Sequence, residues 1–240
     1  MKEIQNFINI SKYAGERFDL IQAGGGNSSV KLDNGQMLIK ASGYLLSDMN
    51  EKSGYSKVDT KQIANIINNK TIANEPEQRK RENITALLVQ EFTIDKNIRP
   101  SIETLLHSLL YKYTLHTHPV VVNMVVIQKK WREILLSIFN EDKIALVSYN
   151  TPGIDLALNL DKVLKQFDTI PNIIFLQNHG LIVTSKNNKE ISKLTEYVLK
   201  KIETYLNLDM SRYKLTNKIT SLLNSVHKTN NISYLSEDIY

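Results

Sequence analysis

The chain has 240 residues and no cysteine, so disulfides, thiolate nucleophiles and cysteine metal ligands are excluded. Hydrophobic residues make up 42% and charged residues 23%, ordinary for a globular chain long enough for one substantial core. With 30 Lys+Arg against 25 Asp+Glu the net charge is +5, but no basic stripe with interleaved aromatics points to nucleic acid.

The first 18 residues are amphipathic and carry no long apolar run, so neither a signal peptide nor a membrane span is expected. Lack of cysteine fits a reducing cytoplasm. Ile4, Phe7, Ile8, Tyr13 and Phe18 predict a helix over 3–18. Three glycines follow in Ala23-Gly24-Gly25-Gly26-Asn27-Ser28-Ser29, a composition no stable helix interior accepts. The β-like runs 30–32 and 37–40 flank Asp33-Asn34-Gly35, and Asn-Gly there predicts an antiparallel hairpin.

A helix is predicted over 59–68 from Ile63, Ile66 and Ile67. The polar segment 69–100 is expected to hold a helix over 82–92 and a loop over 93–99, with Arg79-Lys80-Arg81 on a solvated helix face. Pro100-Ser101 opens a helix whose apolar face includes Leu105, Leu106, Leu109 and Leu110. The apolar run 113–123 reads as a strand interrupted just past Pro119. A helix over 129–139, a strand over 144–147, a turn at 151–153 and a helix over 159–167 come next. A buried strand over 172–177 ends in Asn178-His179-Gly180, and 181–184 continues extended. Helices over 189–205 and 208–225 precede a weakly structured tail from about residue 226. The chain shows no internal repeat and no interdomain linker, so 1–240 reads as a single domain. Alternating elements with at least one hairpin predict a mixed or mainly antiparallel sheet with helices on both faces.

His116 and His118 stand one residue apart. In a strand, alternate side chains share a face, and their Cβ atoms lie roughly 7 Å apart, a separation suited to two ligands of one ion. His179 stands where another strand ends in a turn. Three nitrogen ligands with an open position is the pattern of a catalytic zinc site. Glu103, in the first turn of its helix, either complements the helix dipole or serves as an acid/base group beside the imidazoles. His107, four residues on, reads as a packing or supporting residue, and His227 as exposed. The glycine stretch reads as a surface turn or as an anion nest with Asn27, Ser28 and Ser29 as further donors. It is not a P-loop, because no Gly-Lys-Ser/Thr follows, and it leads into a hairpin rather than a helix. Lys40, Ser42 and Gly43 close the hairpin and can return to the same place.

The segments GGGNSS, LIKASG, PSIETLLH, LHTHP and QNHGLIV occur in this order between residues 4 and 205. Together they resemble the class II aldolase/adducin family, most closely its rhamnulose- and fuculose-phosphate aldolase-like branch. The resemblance implies a three-layer α/β/α sandwich around a mostly antiparallel sheet. It implies Zn²⁺, or another divalent transition metal, on His116, His118 and His179, with Glu103 as the acid/base residue. Gly26, Asn27, Ser42, Gly43 and Ser101 match positions that hold a substrate phosphate; Lys40, Ser28 and Tyr149 are further candidate site residues, Tyr149 because its segment SYNTPG resembles the family. The implied activity is a zinc-dependent aldolase acting on a short sugar or sugar phosphate through a metal-stabilised enediolate. The same intermediate serves epimerases, decarboxylases and dehydratases, and a non-catalytic adducin-like module is the rival from another class. Fourfold-symmetric homotetramers without nucleic-acid or membrane partners are the expected assembly. Some members of the branch carry a fused dehydrogenase, and the tail SYLSEDIY is expected to match the join, with no dehydrogenase domain here. Two departures stand out. Phosphate-binding members often have two serines before the glutamate, where this chain has Ser101-Ile102. The tyrosine that a neighbouring subunit supplies in some members has no firm counterpart.

Overall fold

The strands are short, and their alternate residues feed two separate cores. A computed structural model of the protein describes residues 2–228. Among these, the strands are β1 (Asn27–Lys31), β2 (Gln36–Lys40), β3 (Tyr55–Asp59), β4 (Tyr113–Thr117), β5 (Ile144–Val147), β6 (Ile173–Leu176) and β7 (Gly180–Ser185). The helices are α1 (Lys2–Gly15), α2 (Thr60–Asn65), α3 (Lys70–Asn74), α4 (Gln78–Glu91), α5 (Thr104–Ser108), α6 (Val120–Val126), α7 (Trp131–Ile138), α8 (Ile154–Leu164), α9 (Asn188–Leu206) and α10 (Ser211–His227). The sheet order is β3-β2-β1-β4-β7-β6-β5, antiparallel throughout except for the parallel β5–β6 pair.

Val30, Leu115, Val183 and Phe175 point to one face, where α1, α6, α7 and α9 cover them. Met37, Ile39, Ile182 and Ile174 point to the other, under α2, α5 and α8. The architecture is therefore a three-layer α/β/α sandwich with a mostly antiparallel sheet. Fully burying a single Phe or Leu contributes roughly 1.5–3 kcal/mol, so both faces are strongly specified. No helix of the described residues is long and apolar enough to cross a membrane.

The predicted hairpin forms as β1–β2, with Gly35 at φ 84° in its turn. Other elements depart from local expectation. β3 was not predicted, although Tyr55–Asp59 alternates in burial along its length. Helix α4 begins at Gln78, so Arg79–Arg81 lies inside it, and Arg81 forms a bidentate pair with Asp155 at 3.0 and 2.9 Å. The run 113–123 is extended only to Thr117; Pro119 caps α6, whose valines bury positions 121, 122, 125 and 126 at helical spacing. Packing here overrides the β preference of valine. Helix α8 starts at Ile154 after Gly153 at φ 132°, ahead of the expected start at 159. Helix α10 continues through His227, so 226 and 227 are helical and His227 is exposed, while the expected tail beyond 228 lies outside the described residues.

The helix expected from Pro100 is only five residues long, Thr104–Ser108. Lys31 of β1 accounts for its early end: Nζ donates to the carbonyl of Ser108 at 2.7 Å and to that of Leu110. Carbonyls that a longer helix would have bonded internally are satisfied by the sheet instead.

Candidate active site

Strand β4 ends by delivering two histidines to one point. His116 is its penultimate residue and is 1% exposed. Its Nδ1 lies 3.1 Å from the carbonyl of Leu181 on β7. A carbonyl only accepts, so Nδ1 carries the proton and Nε2 presents its lone pair outward. His118 lies just past the strand, where its N–H donates to the carbonyl of Leu20 at 2.9 Å. Val120 N–H donates to the carbonyl of Asp19 at 3.0 Å, so the segment 19–20 grips both sides of Pro119.

The third histidine arrives through the β6–β7 hairpin. Leu176 pairs with Gly180, which leaves Gln177, Asn178 and His179 as the turn, with Asn178 left-handed at φ 52°. Nε2 of His118 and His116 are 3.0 Å apart, and those of His116 and His179 are 3.3 Å apart. One ligand nitrogen from each of the three lies within 4.8 Å of the others.

The surrounding backbone leaves room for these rings. A Cβ at Gly25 would stand 2.9 Å from Nδ1 of His118. Gly26 adopts φ 68° and a Cβ there would stand 2.8 Å from the His116 carbonyl.

Glu103 stands at the N-cap position of α5, just before the first turn in which the sequence places it; its side chain makes no capping hydrogen bond, and it is 5% exposed. Its Oε2 accepts from Asn27 Nδ2 at 2.6 Å and lies 3.5 Å from His116 Nε2. Its Oε1 lies 3.3 Å from His179 Nε2 and has no hydrogen-bond partner. His179 Nδ1 is likewise buried without a partner. Burial, with His118 and His179 as neighbours, holds the His116 imidazole well below the ordinary histidine range. Burial and then His179 lower His118, partly opposed by Glu103. Imidazole nitrogens crowded around a carboxylate suit a cation, and three nitrogens with a carboxylate alongside is a donor set fit for a divalent transition metal. His116, His118 and His179 can therefore hold a metal ion.

The remaining sequence candidates divide. Gly26 and Asn27 lie at the histidines. Ser42, Gly43 and Ser101 lie on two segments zipped together beside Glu103: Ser42 N–H donates to the Arg99 carbonyl at 2.8 Å, and Ser101 N–H to the Lys40 carbonyl at 3.0 Å. Ser101 Oγ accepts from Glu103 N–H at 3.3 Å, and Arg99 donates to Ser42 Oγ at 3.1 Å. Lys40 ends β2, is 5% exposed, and its ammonium is held below the usual lysine range by burial, with Glu103 opposing. Ser28 is not brought to the site: it points to the opposite face of β1 and shares a hydrogen bond with Ser11 of α1 at 2.7 Å. Tyr149 is exposed, and its N–H donates to Gln177 Oε1 at 3.1 Å, beside the turn that carries His179. His107 has the supporting place expected of it, and its partners are Ser29 and Asn27 of β1. The pattern Asn27, Ser29 and Lys31, polar at alternate positions of one buried strand, was the available signal.

A sequence model of the "Class II Aldolase and Adducin N-terminal domain" matches residues 5–206. Among curated proteins, the chain is 23% identical over 223 residues to the "Uncharacterized oxidoreductase YuxG" of Bacillus subtilis strain 168. That match covers 89% of this chain but only 31% of the relative, so the chain spans about a third of that protein's length. Among solved structures, the N-terminal class II aldolase domain of a conserved Thermoplasma acidophilum protein superposes with a TM-score of 0.70 at 21% identity, covering 85% of this chain and 93% of that one. L-fuculose-1-phosphate aldolase from Thermus thermophilus superposes with a TM-score of 0.55 at 15% identity, covering 86% and 96%.

Proposed function

The chain belongs to the class II aldolase and adducin family, and from that premise we propose that it is a metal-dependent carbon–carbon lyase acting on a short sugar or sugar phosphate. The observation that carries this reading is the convergence of His116, His118 and His179 on one point with the Glu103 carboxylate 3.3–3.5 Å from two of them. In this reading the three histidines hold the metal, with zinc the proposed ion among the transition metals that imidazole ligands suit. A bound ion of this kind supplies Lewis-acid polarisation of a substrate carbonyl.

The chain's own residues do the rest. Glu103 takes the proton from the carbon beside the carbonyl before the carbon–carbon bond forms there, and returns it to that carbon after the bond breaks; Oε1 is the oxygen available for it. Asn27 holds Oε2 and so aims the carboxylate. Ser42, Gly43 and Ser101, with Gly26, receive the far end of the substrate, and Lys40 and Arg99 supply positive charge nearby. Ile102, 61% exposed in the place of a second serine, offers that end an apolar side chain in place of a hydroxyl. This favours a substrate that does not depend on a phosphate. Epimerisation, decarboxylation or dehydration on the same residues is the second reading, because the three histidines together with Glu103 fix the type of chemistry and not the product. All three histidines are present, which weighs against a non-catalytic adducin-like module. We also read the protein as a cytoplasmic homotetramer; Val120, Met124 and Ile127 form an exposed apolar stripe beside the site that fits subunit contact.

The test is metal content of the purified protein beside a cleavage screen. Ketose 1-phosphates and their unphosphorylated forms are supplied, and dihydroxyacetone phosphate or dihydroxyacetone is detected. Bound zinc with ketose cleavage is the expected result. Zinc without cleavage transfers the reading to epimerase, decarboxylase or dehydratase, and failure to bind metal under any loading condition overturns the enzyme reading.

A further inference from the structure

One buried titratable group is not used by the mechanism above. His107 is fully buried in α5, between Glu103 and the strand β1. Its Nδ1 lies 2.7 Å from Ser29 Oγ, and its Nε2 is hydrogen-bonded to Asn27 Oδ1. Asn27 Nδ2 in turn reaches Glu103 Oε2 at 2.6 Å.

The proton positions along this chain follow from donor and acceptor chemistry. An ionised carboxylate only accepts, so Asn27 must turn its NH₂ to Glu103. Its Oδ1 then faces His107, which must donate from Nε2. Nδ1 is left as an acceptor and takes the Ser29 hydroxyl proton. One tautomer of a neutral imidazole satisfies every partner. Burial favours that neutral form, and holds the His107 pKa down to about 3.

The Asn27 amide has two faces that differ by exchange of O and N. The carboxylate favours one face, and His107 holds the same face from the far side by donating to Oδ1. With the amide reversed, Oδ1 would confront the carboxylate and the hydrogen bond that aims Glu103 would be lost. That bond is the one hydrogen bond to the Glu103 carboxylate among the described residues. Glu103 at the N-cap of α5 and His107 within that helix are four residues apart, so one short segment carries the carboxylate and the group that orients its holder.

We propose that His107 is a positioning residue for the proton transfer assigned to Glu103, acting through Asn27: it locks the amide so that Oε2 is held and Oε1 stays free. The proposal rests on the acid/base reading of Glu103.

The test follows hydrogen–deuterium exchange at the carbon-bound protons of dihydroxyacetone and of dihydroxyacetone phosphate in D₂O, catalysed by the zinc-loaded protein, with zinc content and thermal unfolding measured in parallel. His107→Leu removes the donor, and His107→Gln puts an amide donor near the Nε2 position. His107→Leu is expected to slow exchange by about 10- to 100-fold, the usual effect of losing an outer partner, with zinc content and KM unchanged. His107→Gln should recover most of the rate, a rescue that a packing role does not explain. The double variant His107→Leu/Asn27→Ala should be no slower than Asn27→Ala alone, because one residue acts through the other. A native rate in His107→Leu, or losses that multiply in the double variant, overturns the proposal. Glu103→Gln separates the two readings: a native rate there sinks the acid/base role itself, whereas a dead Glu103→Gln beside a native-like His107→Leu sinks only the positioning role. ¹⁵N NMR of the native protein decides the matter without turnover. Nε2–H on His107 is expected, and the Nδ1–H tautomer contradicts the relay.

Discussion

Gly180 and His118 meet where the β4–β7 ladder closes: a Cβ at Gly180 would stand 3.1 Å from His118 Cδ2 and nearer still to the Thr117 carbonyl. The glycine that follows His179 in sequence therefore makes room for a different ligand. Its service is close approach rather than a left-handed turn, which Asn178 provides instead. Gly180→Ala should push His118 out of line and weaken zinc binding by about 10- to 100-fold. Zinc titration against a competing chelator measures this, and unchanged affinity would show that His118 tolerates the displacement.

The ligand and acid/base assignments separate by what each variant keeps. His118→Ala should lose most of its bound metal. Glu103→Gln should keep its metal and fold while turnover falls by about 10²-fold or more. Elemental analysis beside the cleavage assay reads both; full occupancy in His118→Ala would place the ion elsewhere.

Asp19 is 4% exposed and takes two hydrogen bonds from Arg17, at 3.1 and 2.7 Å, and one from Asn217 of α10 at 2.9 Å. Arg17 also pairs with Glu196 of α9. This network anchors the segment whose Leu20 carbonyl holds the His118 N–H. Asp19→Ala removes one of the two carboxylates that hold the part-buried guanidinium, leaving Glu196, and should lower stability by roughly 1–3 kcal/mol. The urea unfolding midpoint measures it, and a drop in zinc affinity in the same variant would tie the network to the site.

The buried neutral His107 also predicts a pH dependence. In the unfolded chain it takes a proton near its ordinary value of 6.5; in the fold it does so only near 3. Between these values the unfolded state binds more protons, so stability rises with pH. The contribution is complete above about pH 6.5 and is lost as pH falls toward 3, at roughly 1.4 kcal/mol per pH unit. Between pH 6.5 and pH 5 the native protein should lose roughly 2 kcal/mol more than His107→Gln. Denaturant unfolding at the two pH values measures the difference, and parallel losses would mean that other groups dominate.

Short-range signals carried much of this molecule. Asn34-Gly35 between β-like runs specified the β1–β2 register, because few residue pairs accept that turn. Alternation along a strand made His116 and His118 candidates for one ion, and their Nε2 atoms do converge. The order of the motifs along the chain already pointed to the family. What one-dimensional spacing cannot carry is which distant segments share an end of the sheet. His179 joins the other two only because β7 pairs with β4. Pro119 turns the valine run into α6 because that face packs on the sheet. Ser28 and its neighbours Asn27 and Ser29 face opposite ways by the pleat alone, but that Ser28 meets α1 and the other two meet α5 is decided by which helices cover each face of the sheet. Helix α5 ends at Ser108 because Lys31, from another element, bonds the carbonyls that follow. Local geometries and the chemistry available were legible along the chain, since those depend on neighbouring residues. The relay from Ser29 through His107 and Asn27 to Glu103 was not, since hydrogen-bond partners between a strand and a helix are chosen by packing and not by proximity in sequence.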